Sequence, residues 1–164
     1  MVKLDQRVRK EQWQTYKKLS DKKETSKLIR ELNDLDRKHT NRMKKIISKF
    51  GWPGKSSVGE HGANAAWLLV QHSDNDLKFQ IRCLKLLKEA LKKEDVDPKH
   101  VAYLTDRILV HQDKKQIFGT QFVSDKSGAY GPFPIINLEN LEKRRQKMGL
   151  EPFSEYKKKM NALH

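Results

Sequence analysis

The stretch from Glu60 to Asp106 most constrains the fold, because only there is the chain apolar enough to form a hydrophobic core. Apolar residues recur at steps of three and four, which is the repeat of an amphipathic α-helix. Wound as one helix, residues 60–93 place His72 and Asp76 one turn apart within a broad apolar side. An imidazole and a carboxylate cannot be buried there without partners, so they satisfy each other or line a wet cleft.

The segment Ser73-Asp74-Asn75-Asp76 supports an alternative, because these residue types are those of a helix N-cap. In this alternative one helix ends at His72 and a second begins after Asp74 or Asp76. The aspartates would then cap a helix rather than serve a site. The sequence leaves both interpretations open.

A central helix is predicted over residues 98–112, since Asp97 suits the N-cap and Pro98 the first helical position. Apolar residues surround this helix almost completely, which is typical of a helix at the centre of a core. Asp106 lies among them. A buried structural ion pair is one explanation, and a carboxylate that has a raised pKa or orients His72 is the functional one.

The first fifty residues predict long basic helices. A strong helical stripe runs from about Thr25 to Phe50, before Gly51 and Pro53 end the helix. Residues 3–19 indicate a weaker amphipathic helix. The stripe consists of Leu28, Leu32, Leu35, His39, Met43, Ile46 and Phe50.

Beyond the central helix the composition changes to that of extended structure. Residues 116–136 predict a short β-hairpin or extended flap, in which residues 116–123 have the composition of a strand and include Gln121. Residues 138–148 and 152–163 indicate basic terminal helices, separate or as one broken helix.

The predicted fold class is therefore mainly α, with a helical bundle-like core and long basic N-terminal helices. We expect a single domain, 1–164, in which a basic arm, 1–50, packs on a core, 51–150, and residues 151–164 form a terminal helix.

The net charge of +14 is concentrated at the two ends of the chain: residues 1–50 contribute +9, residues 51–135 +2 and residues 136–164 +3. A basic arm attracts polyanions such as nucleic acid, although a solvated lysine-rich helix surface explains the same pattern. The single Cys83 and the lack of a secretory or membrane-spanning apolar run lead us to expect a soluble, cytoplasmic protein without membrane contact.

Several motifs together resemble an uncharacterised bacterial family that is known only as a domain of unknown function. They are Gly51-Trp52-Pro53, Gln71-His72-x-Asp74-x-Asp76, Tyr103-Leu104-Thr105-Asp106-Arg107 and Gly119-Thr120-Gln121. The resemblance covers about residues 50–150. It implies a bacterial-type intracellular protein with an α-helical core and transfers no catalytic residue.

The best functional hypothesis from the sequence is a small acid–base enzyme of hydrolase or transferase type. His72 would exchange the proton, because imidazole titrates near neutral pH, and Asp76 or Asp106 would orient it. The ligand, small or anionic, would contact five further residues: Glu60, Gln71, Tyr103, Arg107 and Gln121.

No cofactor is predicted. A divalent metal bound by His72, Asp74 and Asp76 is a weaker version of the same hypothesis. The alternatives are a non-catalytic nucleic-acid-binding module that uses the basic arm and a helical protein–protein adaptor. The sequence does not indicate an oligomeric state.

Overall fold

The computed structural model describes residues 22–125 and 127–163, and the chain divides into an N-terminal unit that ends at Phe79 and a C-terminal unit from Gln80. The helices are α1 Lys22–Phe50, α2 Lys55–Gln71, α3 Leu77–Lys92, α4 Pro98–His111, α5 Leu141–Lys147 and α6 Phe153–Leu163. Two short strands, β1 Phe122–Ser124 and β2 Tyr130–Pro132, pair as an antiparallel hairpin, and a 3-10 turn, Leu138–Asn140, precedes α5.

The predicted mainly α fold with a short hairpin near residues 116–136 is confirmed. The helix predicted over residues 3–19 lies outside the described residues, and the single-domain organisation stays a prediction. None of the described helices combines the length and the apolar character needed to cross a membrane.

Helix α1 ends where the sequence predicts. Gly51 adopts a φ of 76°, and its N–H donates to the carbonyl of Ile47 at 3.0 Å, as a glycine just beyond a helix C-terminus does. The predicted apolar stripe is wrong at its end, since Phe50 is 72% exposed while Met43 and Ile47 are buried. The chain turns at Gly51, directly after Phe50, and leaves that ring at the surface.

The prediction of one helix over residues 60–93 is wrong, and the N-cap alternative is correct. Helix α2 ends at Gln71 with His72 as its C-cap, and α3 starts at Leu77. Oδ1 of Asp76 accepts the N–H of Phe79 at 3.0 Å, which satisfies one of the donors that the first turn of a helix leaves free.

Polar contacts fasten this turn to α1. Nζ of Lys44 lies 2.5 Å from Oδ2 of Asp76, and the Thr40 hydroxyl donates to Oγ of Ser73 at 2.9 Å. The Ser73 hydroxyl in turn donates to the carbonyl of Leu69 at 3.0 Å. These contacts place the segment that follows α2 against the second half of α1.

In the C-terminal unit, α4 begins as predicted. Asp97 caps the helix by accepting the N–H of Lys99 at 2.9 Å, and Pro98 occupies the first turn. The apolar side chains that are buried in this unit are those of Cys83, Leu87, Val96, Val101, Ala102, Leu104, Ile108, Leu141, Leu150 and Tyr156. Asp106 is enclosed by this core.

We expect Asp76→Ala to lower the free energy of unfolding by about 1–2 kcal/mol, because it removes both a helix cap and a charged hydrogen bond. Asp76→Asn should cost less, since asparagine is as good a cap. The Lys44 ammonium holds the pKa of Asp76 below its ordinary value. The stabilisation is therefore complete above about pH 4 and is lost as the pH falls through the lowered pKa of the folded state.

Urea unfolding measured across this pH range tests the expectation, with Glu60→Gln, a change at an exposed acid in the same unit, as control. Equal losses for Asp76→Ala and Glu60→Gln would show that Asp76 does not hold the turn.

Candidate functional site

The carboxylate of Asp106, which is 0% exposed, binds the loop of residues 117–120. Its oxygens accept the N–H of Ile117 at 2.7 Å, the N–H of Phe118 at 3.0 and 3.1 Å, and the N–H and hydroxyl of Thr120 at 3.0 Å each. Within residues 116–123 the strand begins only at Phe122, because the N–H groups before it point to one carboxylate rather than to a neighbouring strand.

Burial raises the pKa of Asp106 above its ordinary value, and the hydrogen bonds from Thr120, Ile117 and Phe118 oppose that rise. Both oxygens accept hydrogen bonds from the protein itself. The contacts give Asp106 a structural role in the loop, different from the ion pair that the sequence offered as its structural explanation.

The carbonyl groups of the same loop are bound by two arginines and a tyrosine. Nε of Arg144 donates to the carbonyl of Ile117 at 2.8 Å, and Nη1 of Arg145 donates to that of Phe118 at 2.6 Å. The hydroxyl of Tyr156 donates to the carbonyl of Thr120 at 3.1 Å. The loop is thus held on its N–H side by one carboxylate and on its carbonyl side by two guanidinium groups and a phenol.

Gln116 joins the loop to the hairpin. Its buried side chain donates to the carbonyls of Gln121 at 3.0 Å and Phe133 at 2.8 Å and accepts the N–H of Gln121 at 2.9 Å. The sequence analysis missed this residue, because a glutamine in a polar segment carries no pattern that marks it as buried.

Two of the predicted ligand-binding residues meet beside this loop. Nη1 of Arg107 donates to Oε1 of Gln121 at 3.3 Å, and Nε2 of Gln121 donates to the Thr120 hydroxyl, itself bonded to Asp106. The structure therefore brings together Asp106, Arg107 and Gln121. Arg107 and Gln121 are half-buried, so a ligand can reach them.

Arg145 is fully buried, although it belongs to a segment that the sequence predicts as a basic terminal helix. Nε donates to the carbonyl of Glu151 at 2.8 Å, and the guanidinium lies 5.0 Å from the ring centre of Tyr156 and 5.5 Å from that of Phe153. Nη2 has no hydrogen-bond partner, and within the described part of the chain no carboxylate pairs with the guanidinium. Burial lowers the pKa of Arg145.

Tyr103 lies between the buried Tyr156 and the surface. Its ring packs edge-on against that of Tyr156 at 6.2 Å, and a hydrogen bond joins the two phenols. Burial raises the pKa of Tyr156. Tyr103 itself is half-buried and forms part of the wall of an open cleft.

This cleft, called the Lys99 cleft below, has a volume of about 470 Å³. Nζ of Lys159 contacts the carboxylate of Glu151 at 2.9 and 3.0 Å. Lys99 and Tyr103 are one turn apart on α4, so they project from the same face. The lining residues are Lys99, Tyr103, Gly149, Leu150, Glu151 and Lys159.

The other predicted site residues belong to the N-terminal unit. His72 is the C-cap of α2, Gln71 beside it is buried, and Asp76 caps α3. Asp74 is half-buried and Glu60 is exposed. Their assignment to a site stays a prediction.

No group of three or more His, Cys, Asp or Glu side chains that could hold a metal ion occurs among residues 22–125 and 127–163. His72, Asp74 and Asp76, the weaker metal candidates, do not form such a group there. The carboxylate of Asp76 instead binds Lys44 and the first turn of α3.

A family model described as a family of unknown function, DUF6624, covers residues 1–163, well beyond the stretch of about 50–150 on which the resemblance rested. The comparisons with curated proteins and with solved structures gave no match.

We expect Asp106→Asn to lower the free energy of unfolding by about 3 kcal/mol. An amide at this position turns an N–H₂ group toward backbone donors, which leaves buried N–H groups without an acceptor. The same change at Asp113, an exposed residue in the same unit with a φ of 55°, should be nearly neutral, because asparagine tolerates that conformation. Denaturant unfolding compares the two variants, and equal stabilities would contradict the structural role of Asp106.

Proposed function

We propose that this chain, which belongs to the DUF6624 family of unknown function, binds a small anionic ligand in the Lys99 cleft of its C-terminal unit. The observation that supports the proposal is the excess of positive charge around the cleft. Lys99 and Lys159 line it, and the buried Arg145 donates from Nε to the carbonyl of the lining residue Glu151.

Two carboxylates lie near these cations, because Glu151 lines the cleft and Glu142 and Glu151 both interact electrostatically with Arg145. Glu151 contacts Lys159, which leaves the ammonium of Lys99 with no hydrogen bond or ion pair in the described part of the chain. No carboxylate hydrogen-bonds the guanidinium of Arg145 in the described part of the chain, although Glu142 and Glu151 attract it. An anion in the cleft would therefore gain attraction chiefly from the ammonium of Lys99.

The size and chemistry of the cleft suit a small molecule. A volume of about 470 Å³ falls in the range of small-ligand sites, roughly 300–1,000 Å³. Leu150 and the ring of Tyr103 offer apolar surface, while lysine ammonium groups bind phosphate or carboxylate oxygens. Arg107 lies one turn beyond Tyr103 on α4 and extends the cationic face toward Gln121.

We propose binding rather than a reaction, because the buried carboxylate of this unit is fully engaged by its own loop. The small acid–base enzyme that uses His72 stays a prediction, as do the nucleic-acid-binding module and the protein–protein adaptor.

Titration of the isotope-labelled full chain with inorganic phosphate tests the proposal through the backbone amide resonances of Lys99, Gly149 and Glu151. We expect saturable shifts at these residues. Lys99→Gln should weaken binding about tenfold, the effect of losing one charged hydrogen bond. Glu151→Gln should strengthen it, because the change removes the carboxylate that competes for Lys159.

Lys115→Gln is the matched control, since Lys115 is an exposed lysine of the same unit that does not line the cleft. Shifts that grow linearly with phosphate, or an equal loss in Lys99→Gln and Lys115→Gln, would indicate non-specific attraction to a basic protein and would contradict the proposal.

A further inference from the structure

An apolar groove lies between α1 and α2 in the N-terminal unit, apart from any residue of the proposed anion site. Its volume is about 820 Å³, and its side chains come from the end of α1, from the connection and from α2. The apolar lining residues used below are Met43, Ile46, Pro53, Val58, Ala65 and Leu69.

Exposed apolar side chains extend this groove to the surface. Phe50 is one turn beyond Ile46, hence on the same face of α1, and is 72% exposed, while Val58 on the opposite wall is 46% exposed. A contiguous apolar surface that water contacts on two walls is typical of a binding site, because covering it removes apolar area from water. The groove therefore offers binding energy to an apolar partner.

A stripe of cations runs along α1 beside the groove. Residues 37–50 hold six lysines and arginines and no aspartate or glutamate. Four of the six, Lys38, Arg42, Lys45 and Lys49, follow one another at steps of four, three and four, which places them on one side of the helix, and all four are exposed. This stripe flanks the face of Ile46 and Phe50, and Nζ of Lys49 lies 5.0 Å from the ring centre of Phe50.

We propose that the groove between α1 and α2 is a docking site for an acidic amphipathic helix of a partner protein. An apolar face would fill the groove, and acidic side chains on one flank would meet the stripe of cations. Helix α2 is kinked at Gly59, and beyond the kink the wall from His61 to Leu69 rises about 12 Å, roughly two turns, which apolar anchors at positions i, i+3 and i+7 of a bound helix would span.

Charge and shape together favour this partner over nucleic acid. A phosphate backbone binds a cationic stripe, but it would leave the apolar groove in contact with water. A helix with one apolar and one acidic face uses both features.

Two fluorescent peptides of about 14 residues test the proposal on the full chain. One carries leucines at positions i, i+3 and i+7 with glutamates along one flank, and the other has the same composition in scrambled order. A single-stranded oligonucleotide of equal charge is the third probe. We expect saturable binding of the amphipathic peptide alone, with amide shifts at Met43, Ile46 and Ala65.

Ala65→Phe fills the groove and should weaken peptide binding at least about tenfold. Asn41→Phe is the control, since it adds the same ring to an exposed position on the opposite side of α1. Lys49→Glu should also weaken binding, whereas Lys27→Glu, an exposed change far along α1 from the groove, should leave it unchanged. Lys49 is exposed, so Lys49→Glu should not disturb the packing of the unit. It therefore tests the proposal even if Ala65→Phe does disturb that packing.

Tighter binding of the oligonucleotide than of the peptide, equal binding of the scrambled peptide, or no saturable binding would overturn the proposal. An unchanged affinity in both Ala65→Phe and Lys49→Glu would overturn it as well. The phosphate titration of the Lys99 cleft is independent of each of these outcomes.

Discussion

The C-terminal unit depends on one buried carboxylate. Asp106 accepts hydrogen bonds from three N–H groups and one hydroxyl of residues 117–120. The carbonyls of the same loop accept hydrogen bonds from Arg144, Arg145 and Tyr156. A loop with no regular secondary structure can be enclosed only when its polar backbone groups find partners. The charged groups of both signs around this loop therefore form hydrogen bonds with its backbone.

Comparison of Asp106 with Asp125, an exposed aspartate in the same unit, shows how burial changes the pKa of a carboxyl group. Asp125 accepts the N–H groups of Ser127 at 2.8 Å and Ala129 at 3.0 Å in the exposed hairpin turn. Its pKa is lowered, first by the hydrogen bond from the Ser127 side chain, whereas burial raises the pKa of Asp106. The two carboxylates make similar contacts, so the opposite directions come from the loss of water around Asp106.

Sequence patterns predicted the features that depend on neighbouring residues. The cap at Asp97 and the glycine after α1 follow from local chemistry, and they stand as expected. The sequence did not decide whether a break separates α2 and α3, because Asp76 fits both an apolar helix face and an N-cap. Residues 117–121 have the composition of a strand but form a loop, since the carboxylate of Asp106, eleven positions before Ile117, accepts their N–H groups. The burial of Arg145 was invisible for the same reason: its partners lie elsewhere in the chain.

We expect Asp106 to hold the backbone of residues 117–120 as firmly as a helix holds its own backbone. Native-state hydrogen exchange of the unmodified protein measures this directly, because an amide opens only as often as its hydrogen bond breaks. We predict that the amides of Ile117, Phe118 and Thr120 exchange as slowly as those inside α4, and far more slowly than those of Ser127 and Ala129 in the exposed turn. Exchange of all five amides at similar, rapid rates would contradict the account.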